Sequence, residues 1–134
     1  MKPLYLVVLS VLFAFISCKP KTREELIVGT WKVDIEATKK ATPPGKPAPV
    51  RGEQDEMKIT FYKDMTTQMS RKGMDGGQQE QKSGTYKLVH DGKYLDIMEQ
   101  GRDKTEEAEI VELTNNIMRI RIPDSTVIVF AKSQ

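Results

Sequence analysis

From Leu26 onward, apolar and polar residues alternate over short stretches, the pattern of strands that bury one face. In "WKVDIEA", Trp31, Val33 and Ile35 alternate with Lys32, Asp34 and Glu36. In "EMKITFY", Met57, Ile59 and Phe61 form the apolar set, and "GTYKLV" continues the pattern with Tyr86 and Leu88. Asp91-Gly92 then marks a hairpin, because both residues tolerate positive φ, and "KYLDIM" with Tyr94 and Leu95 is the partner strand. "MTTQMS" after a Lys63-Asp64 turn is a further short strand. In the last third, "EEAEIVEL" reads as a strand with a helix as the alternative, and "IMRIRI" follows a turn at Thr114–Asn116. "TVIVFA", after a turn at Pro123–Ser125, is apolar on both faces, as strands are when they lie centrally or close a barrel.

Two segments interrupt this grammar. Residues 37–54 carry Pro43, Pro44, Pro47 and Pro49, which excludes a central strand or a helix interior and predicts a long connection over the open end. Residues 70–82 are rich in Gly and Gln and read as a flexible connection. The sum is an all-β chain of about eight sequential strands, with no helix beyond a turn before Gly29. An up-and-down antiparallel barrel is the expected architecture and a sandwich the competing one.

The N-terminus follows a different pattern. Lys2 precedes a largely apolar run from Leu4 to Ile16, the layout of an export signal. As a helix this run would be roughly 20 Å long, against a hydrocarbon core of about 30 Å, so it is short for a permanent span. It ends at Cys18, the only cysteine. A disulfide within the chain has no second thiol, a zinc site lacks companions, since His90 is the only histidine, and a catalytic thiol lacks a base. Phe15-Ile16-Ser17-Cys18 resembles a bacterial lipobox, with Phe15 where leucine is usual. That resemblance implies cleavage before Cys18 and attachment of a diacylglyceride to its sulfur, palmitate being a typical acyl chain. The expected organisation is therefore a signal peptide over 1–17, a lipidated tether over 18–25 and a barrel domain over 26–134. A bacterial cell envelope location follows, with the outer membrane preferred because Lys19 is not acidic.

Charge narrows the function classes. With 21 basic and 19 acidic residues in 134, the chain has neither the basic footprint of a nucleic-acid binder nor a polybasic membrane patch. The membrane contact expected is the lipid on Cys18. His90 sits beside a hairpin turn, and Glu106, Glu107 and Glu109 read as a solvated strand edge, so neither catalysis, a metal nor a cofactor is predicted. The candidate cavity lining is Trp31, Val33, Ile35, Met57, Ile59, Phe61, Tyr86, Leu88, Tyr94 and Leu95, with the two tyrosines as polar groups. Met65, Met69 and Met74 gather near the same strands.

Gly29-Thr30-Trp31 in "ELIVGTWKVD" resembles the G-x-W opening of lipocalins. "ITFYKDMTT", "SGTYKLVHDGKYLDI" and "EEAEIVELTNNIMRIRI" are similar to successive strands of bacterial lipocalin-like lipoprotein domains, over roughly residues 26 to 131. The resemblance implies a small exported barrel in which Trp31 plugs the closed end after Gly29 and a late basic residue, Arg119 or Arg121, packs over the indole. From the apolar lining, the expected role is binding of a small hydrophobic ligand inside the barrel. The alternative is a filled barrel that serves as a protein–protein interaction module in the envelope.

Overall fold

The computed structural model describes residues 19–50, 56–72 and 79–134. Eight antiparallel strands in chain order close into one barrel: β1 (Gly29–Val33), β2 (Met57–Phe61), β3 (Thr66–Arg71), β4 (Glu80–Val89), β5 (Tyr94–Glu99), β6 (Glu106–Leu113), β7 (Ile117–Arg121) and β8 (Val127–Lys132). Each strand pairs with the next, and β8 returns to β1 with Trp31 opposite Lys132 and Val33 opposite Phe130. The expected up-and-down barrel is thus the observed one.

Two short helices depart from the all-strand reading. Helix α1 (Arg23–Ile27) begins at Thr22, whose hydroxyl accepts from the Glu25 amide while the Glu25 carboxylate accepts from the Thr22 amide. It includes Arg23–Glu25, assigned above to the tether. Helix α2 (Ile35–Ala41) breaks the alternation begun by Trp31 and Val33, so Ile35 opens a helix instead of continuing β1. Asp34 is the cause: its carboxylate accepts from the Ala37 amide at 2.9 Å, an N-cap that redirects the chain. All four prolines lie beyond this helix, which is why they do not prevent it.

Helix α2 completes the barrel where β1 stops short. Asp34 N–H donates to the Val129 carbonyl at 2.8 Å, and the Thr38 hydroxyl bridges the Val129 amide and carbonyl at 3.0 and 3.3 Å. Thr38 is fully buried. A side chain and a helix start thereby satisfy backbone groups that a longer β1 would have paired. The double apolar face of β8 has the same origin, with Ile128 and Phe130 turned inward and Val129 buried on the outer face beside α2.

The connections sort the barrel into two ends. Tight turns after β2, β4 and β6 lie with α1 at the closed end. Strands β1, β3, β5 and β7 end at the open end, where the turns after β5 and β7 lie. Val50, between β1 and β2 in the chain, is buried against the core. The strands also reach into the Gly- and Gln-rich stretch, since β3 runs to Arg71 and β4 begins at Glu80. In β6 a bulge between Ile110 and Glu112 leaves Val111 exposed and returns Leu113 to the core side.

Candidate functional site

The closed half of the barrel is filled. Trp31, Phe61 and Leu95 are almost completely buried, with Tyr86 close behind. The Tyr86 ring meets Phe61 edge-on at 4.8 Å, and its hydroxyl donates to the Tyr62 carbonyl at 2.8 Å. Burial, with a smaller contribution from Asp64, pushes the Tyr86 phenol above its ordinary pKa. The indole N–H of Trp31 donates to the Ile27 carbonyl at 2.7 Å, so α1 seals this end through the plug itself.

The cation over that plug is Lys132, and neither Arg119 nor Arg121. Its ammonium lies 4.9 Å from the Trp31 ring centroid and donates to the Leu26 carbonyl at 3.0 Å. Arg119 and Arg121 share the outer face of β7, where they pair with Glu112 at 3.2 Å and Glu109 at 2.7 Å. Met118 and Ile120 take the inward positions between them. Desolvation is the main cause that lowers the Lys132 pKa, with Lys21 adding repulsion. Gly29 makes room for this lysine: its φ of +131° belongs to glycine, and a Cβ there would stand 2.7 Å from Lys132 Cε.

The open half is hollow. A cup of about 280 Å3 is walled by Met57, Ile59, Met69, Ile97, Ile120, Ile122, Ile128 and Phe130. Around its upper part stand Arg71, Glu80, Lys82, Glu99 and Glu106. They are positions of the same inward faces, two residues further along each strand. Lys82 lies 3.7 Å from both Glu80 and Glu99, and Arg102 reaches Glu99 at 2.9 Å and Glu106 at 3.1 Å. Glu99 is the most enclosed of these, its side chain 17% exposed. Among the described residues, no three His, Cys, Asp or Glu side chains converge as metal ligands. Here the carboxylates alternate with cations.

Of the predicted lining, Met57 and Ile59 border this cup, Trp31, Phe61, Tyr86 and Leu95 pack the closed half, and Val33 is buried opposite Phe130. Leu88 is half-buried against the same core. Ile35 packs on it from α2. Tyr94 does not face inward at all, because its strand neighbour Leu95 does; its ring lies 5.5 Å from that of His90, edge-on, at the closed-end turn. The charged rim went unread in the sequence because polar residues on both faces leave no alternation to detect. Met69 lines the cup, Met65 is exposed at a turn, and Met74 lies outside the described residues, as do Cys18 and the segment read as a signal peptide.

The fold recurs in solved structures. A lipocalin-like protein from Bacteroides uniformis ATCC 8492 is 14% identical, with a TM-score of 0.57, over 80% of this chain and 98% of the other. A further protein from that organism, solved by NMR, is 20% identical, with a TM-score of 0.61, over 85% and 94%. A protein from Bacteroides eggerthii DSM 20697 is 18% identical, with a TM-score of 0.57, over 80% and 99%. At these identities the likeness concerns the fold alone. No curated protein matches the chain. A family model described as "Lipocalin-like domain" matches residues 27–120, from the end of α1 through Ile120 of β7, and with that match over most of its length the chain belongs to the lipocalin-like domain family.

Proposed function

We propose that this protein is a lipid-anchored lipoprotein of the bacterial envelope that binds a small hydrophobic molecule in the open-end cup, without catalysing a reaction on it. The observation that carries the binding role is the cup itself, an apolar recess of about 280 Å3 beneath a ring of charged side chains. Ligand pockets are mostly apolar with a few placed polar groups, and typical volumes begin near 300 Å3, so the occupant is small. Its apolar body lies against Met69, Ile97 and Phe130, and a polar end meets Lys82 or Arg71 at the rim. The filled closed half limits how deep it goes. Anchoring rests on Cys18 and the apolar run before it. A lipid on Cys18, a few residues before α1, sets the closed end toward the membrane and the cup away from it.

The dye N-phenyl-1-naphthylamine tests the cup. Saturable fluorescence enhancement is expected for the wild type, with at least tenfold weaker binding after Met69→Trp fills the recess. If the folded wild type does not bind the dye, the cup reading fails and the interaction-module reading takes its place. A fatty-acid label tests the anchor separately: it should mark the wild type and not Cys18→Ser, and equal marking of both refutes acylation at Cys18.

A further inference from the structure

The outer face of the barrel carries a second concavity, which shares only Glu99 with the cup. It is an open groove of about 600 Å3 across β3, β4 and β5, with Tyr62 at one end and Arg102 at the other. The register arranges its floor as two rungs. Thr66, Thr85 and Met98 stand side by side on the three strands. Two residues along, Gln68 lies opposite Ser83, and the Gln100 amide donates to the Ser83 carbonyl at 2.8 Å.

Neither rung holds a charge, in a chain where 30% of residues are charged. At the groove's ends, Asp64 holds the Thr66 hydroxyl at 2.6 Å and two further sets of charges are paired. Lys87 pairs with Asp96 at 3.6 Å toward the closed end, and Arg102 pairs with Glu99 and Glu106 toward the open end. An ionic ligand would find no uncommitted countercharge on either rung. What the floor offers is hydroxyls and carboxamides, which donate and accept at once. A row of weak hydrogen bonds crosses it, from the Tyr62 hydroxyl to Gln68 Oε1 at 3.3 Å and from Gln68 Nε2 to Gln81 Oε1 at 3.4 Å. Bonds this long are readily exchanged for better ones to a ligand. Tyr62 and Met98, each 43% exposed, add apolar surface beside these groups.

We infer that this groove is a binding site for an uncharged oligosaccharide. Sugars present the same mixture, hydroxyls around the ring edge and C–H groups on its faces, without net charge. A pyranose repeat of about 5 Å also matches the strand spacing of about 4.8 Å, so successive sugars can address successive strands. Tyr62 supplies a ring face for a terminal sugar, an aromatic with an apolar body and a polar tip. Gly84 keeps the floor continuous, because a Cβ there would strike the Met98 carbonyl and force β4 away from β5.

The test is calorimetric titration of the full-length protein with maltohexaose, mannohexaose and laminarihexaose, with oligogalacturonate as the anionic control and a neutral Ser/Thr/Gln peptide as the protein-like one. At least one neutral hexasaccharide should bind saturably, and more tightly than both controls. Tyr62→Ala and Gln68→Ala should each weaken it at least tenfold, while Arg121→Ala on the opposite wall leaves it unchanged. Thermal unfolding of each variant verifies its fold. Binding to none of the three sugars, insensitivity to both groove substitutions, or tighter binding of either control overturns the inference. Dye binding in the cup is unaffected by these variants, so the two sites stand or fall separately.

Discussion

Trp31 at the closed end and Glu99 at the open end both occupy inward-facing strand positions, yet one is fully buried and the other is a carboxylate held by Lys82 and Arg102. Around Trp31, α1 seals the end, and the two polar groups there find protein partners: the indole bonds to Ile27 and the Lys132 ammonium to Leu26. Around Glu99 no helix among the described residues covers the barrel, and the inward charges keep partial contact with solvent. Facing the axis therefore demands an apolar side chain only where something seals the end. The closed half spends its interior on stability, and the open half keeps room that a ligand can use.

Trp31→Ala should produce the largest loss, about 3–5 kcal/mol of unfolding free energy. Ile97→Ala, on a half-buried position bordering the cup, should cost about 1–2 kcal/mol, because less area leaves water there. Denaturant titration of both variants measures the contrast, and equal losses would mean that the two halves are packed alike.

Lys132 gives a smaller effect with a sign set by linkage. Its folded pKa lies below the ordinary value of 10.5, so between the two the unfolded chain binds more protons and stability rises with pH. Relative to Lys132→Met, the wild type should gain stability as pH climbs from neutrality toward 10.5. A difference that stays flat over that range would show that the ammonium is fully solvated at the closed end.

The smallest effects belong to two turns of matching chemistry at opposite ends. Asp64 accepts from the Thr66 hydroxyl and amide, and Asp124 accepts from the Thr126 amide, with the residues between, Met65 and Ser125, at φ of 67° and 70°. Hydrogen bonds from those threonines hold both carboxyls below their usual range. Their contribution is present above the ordinary pKa and disappears as pH falls through the folded one. Asp64→Ala and Asp124→Ala should each lower Tm slightly at pH 7, and the differences should shrink below about pH 3. Asp64→Ala should be the worse, since its turn also carries the Tyr62 carbonyl that Tyr86 bonds. Equal shifts would separate that turn from the core.

The strands with one dry face could be read directly. Trp31 and Val33, Met57 through Phe61, and Met118 with Ile120 alternate because water meets one side of the sheet and core the other. The start of β4 could not, since Glu80 and Lys82 face a wet mouth and Gln81 faces bulk solvent, which leaves polar residues on both sides. Helix α2 hid behind an alternation that runs on through Ile35, and only the Asp34 cap reveals the turn. Arg119 and Arg121 had the right charge for covering the indole, but two residues two apart share a face, and the strand placed that face outward.

Local pattern was enough to specify most strands and their sequential antiparallel order, because each depends on which side of a short segment is dry, while barrel and sandwich both fitted that order. Which lysine reaches Trp31, where the interior is packed and where it is empty, and how three strands align an uncharged groove depend on barrel closure. Closure brings Lys132 beside Trp31 across the β1–β8 seam, and no spacing along the chain encodes that contact.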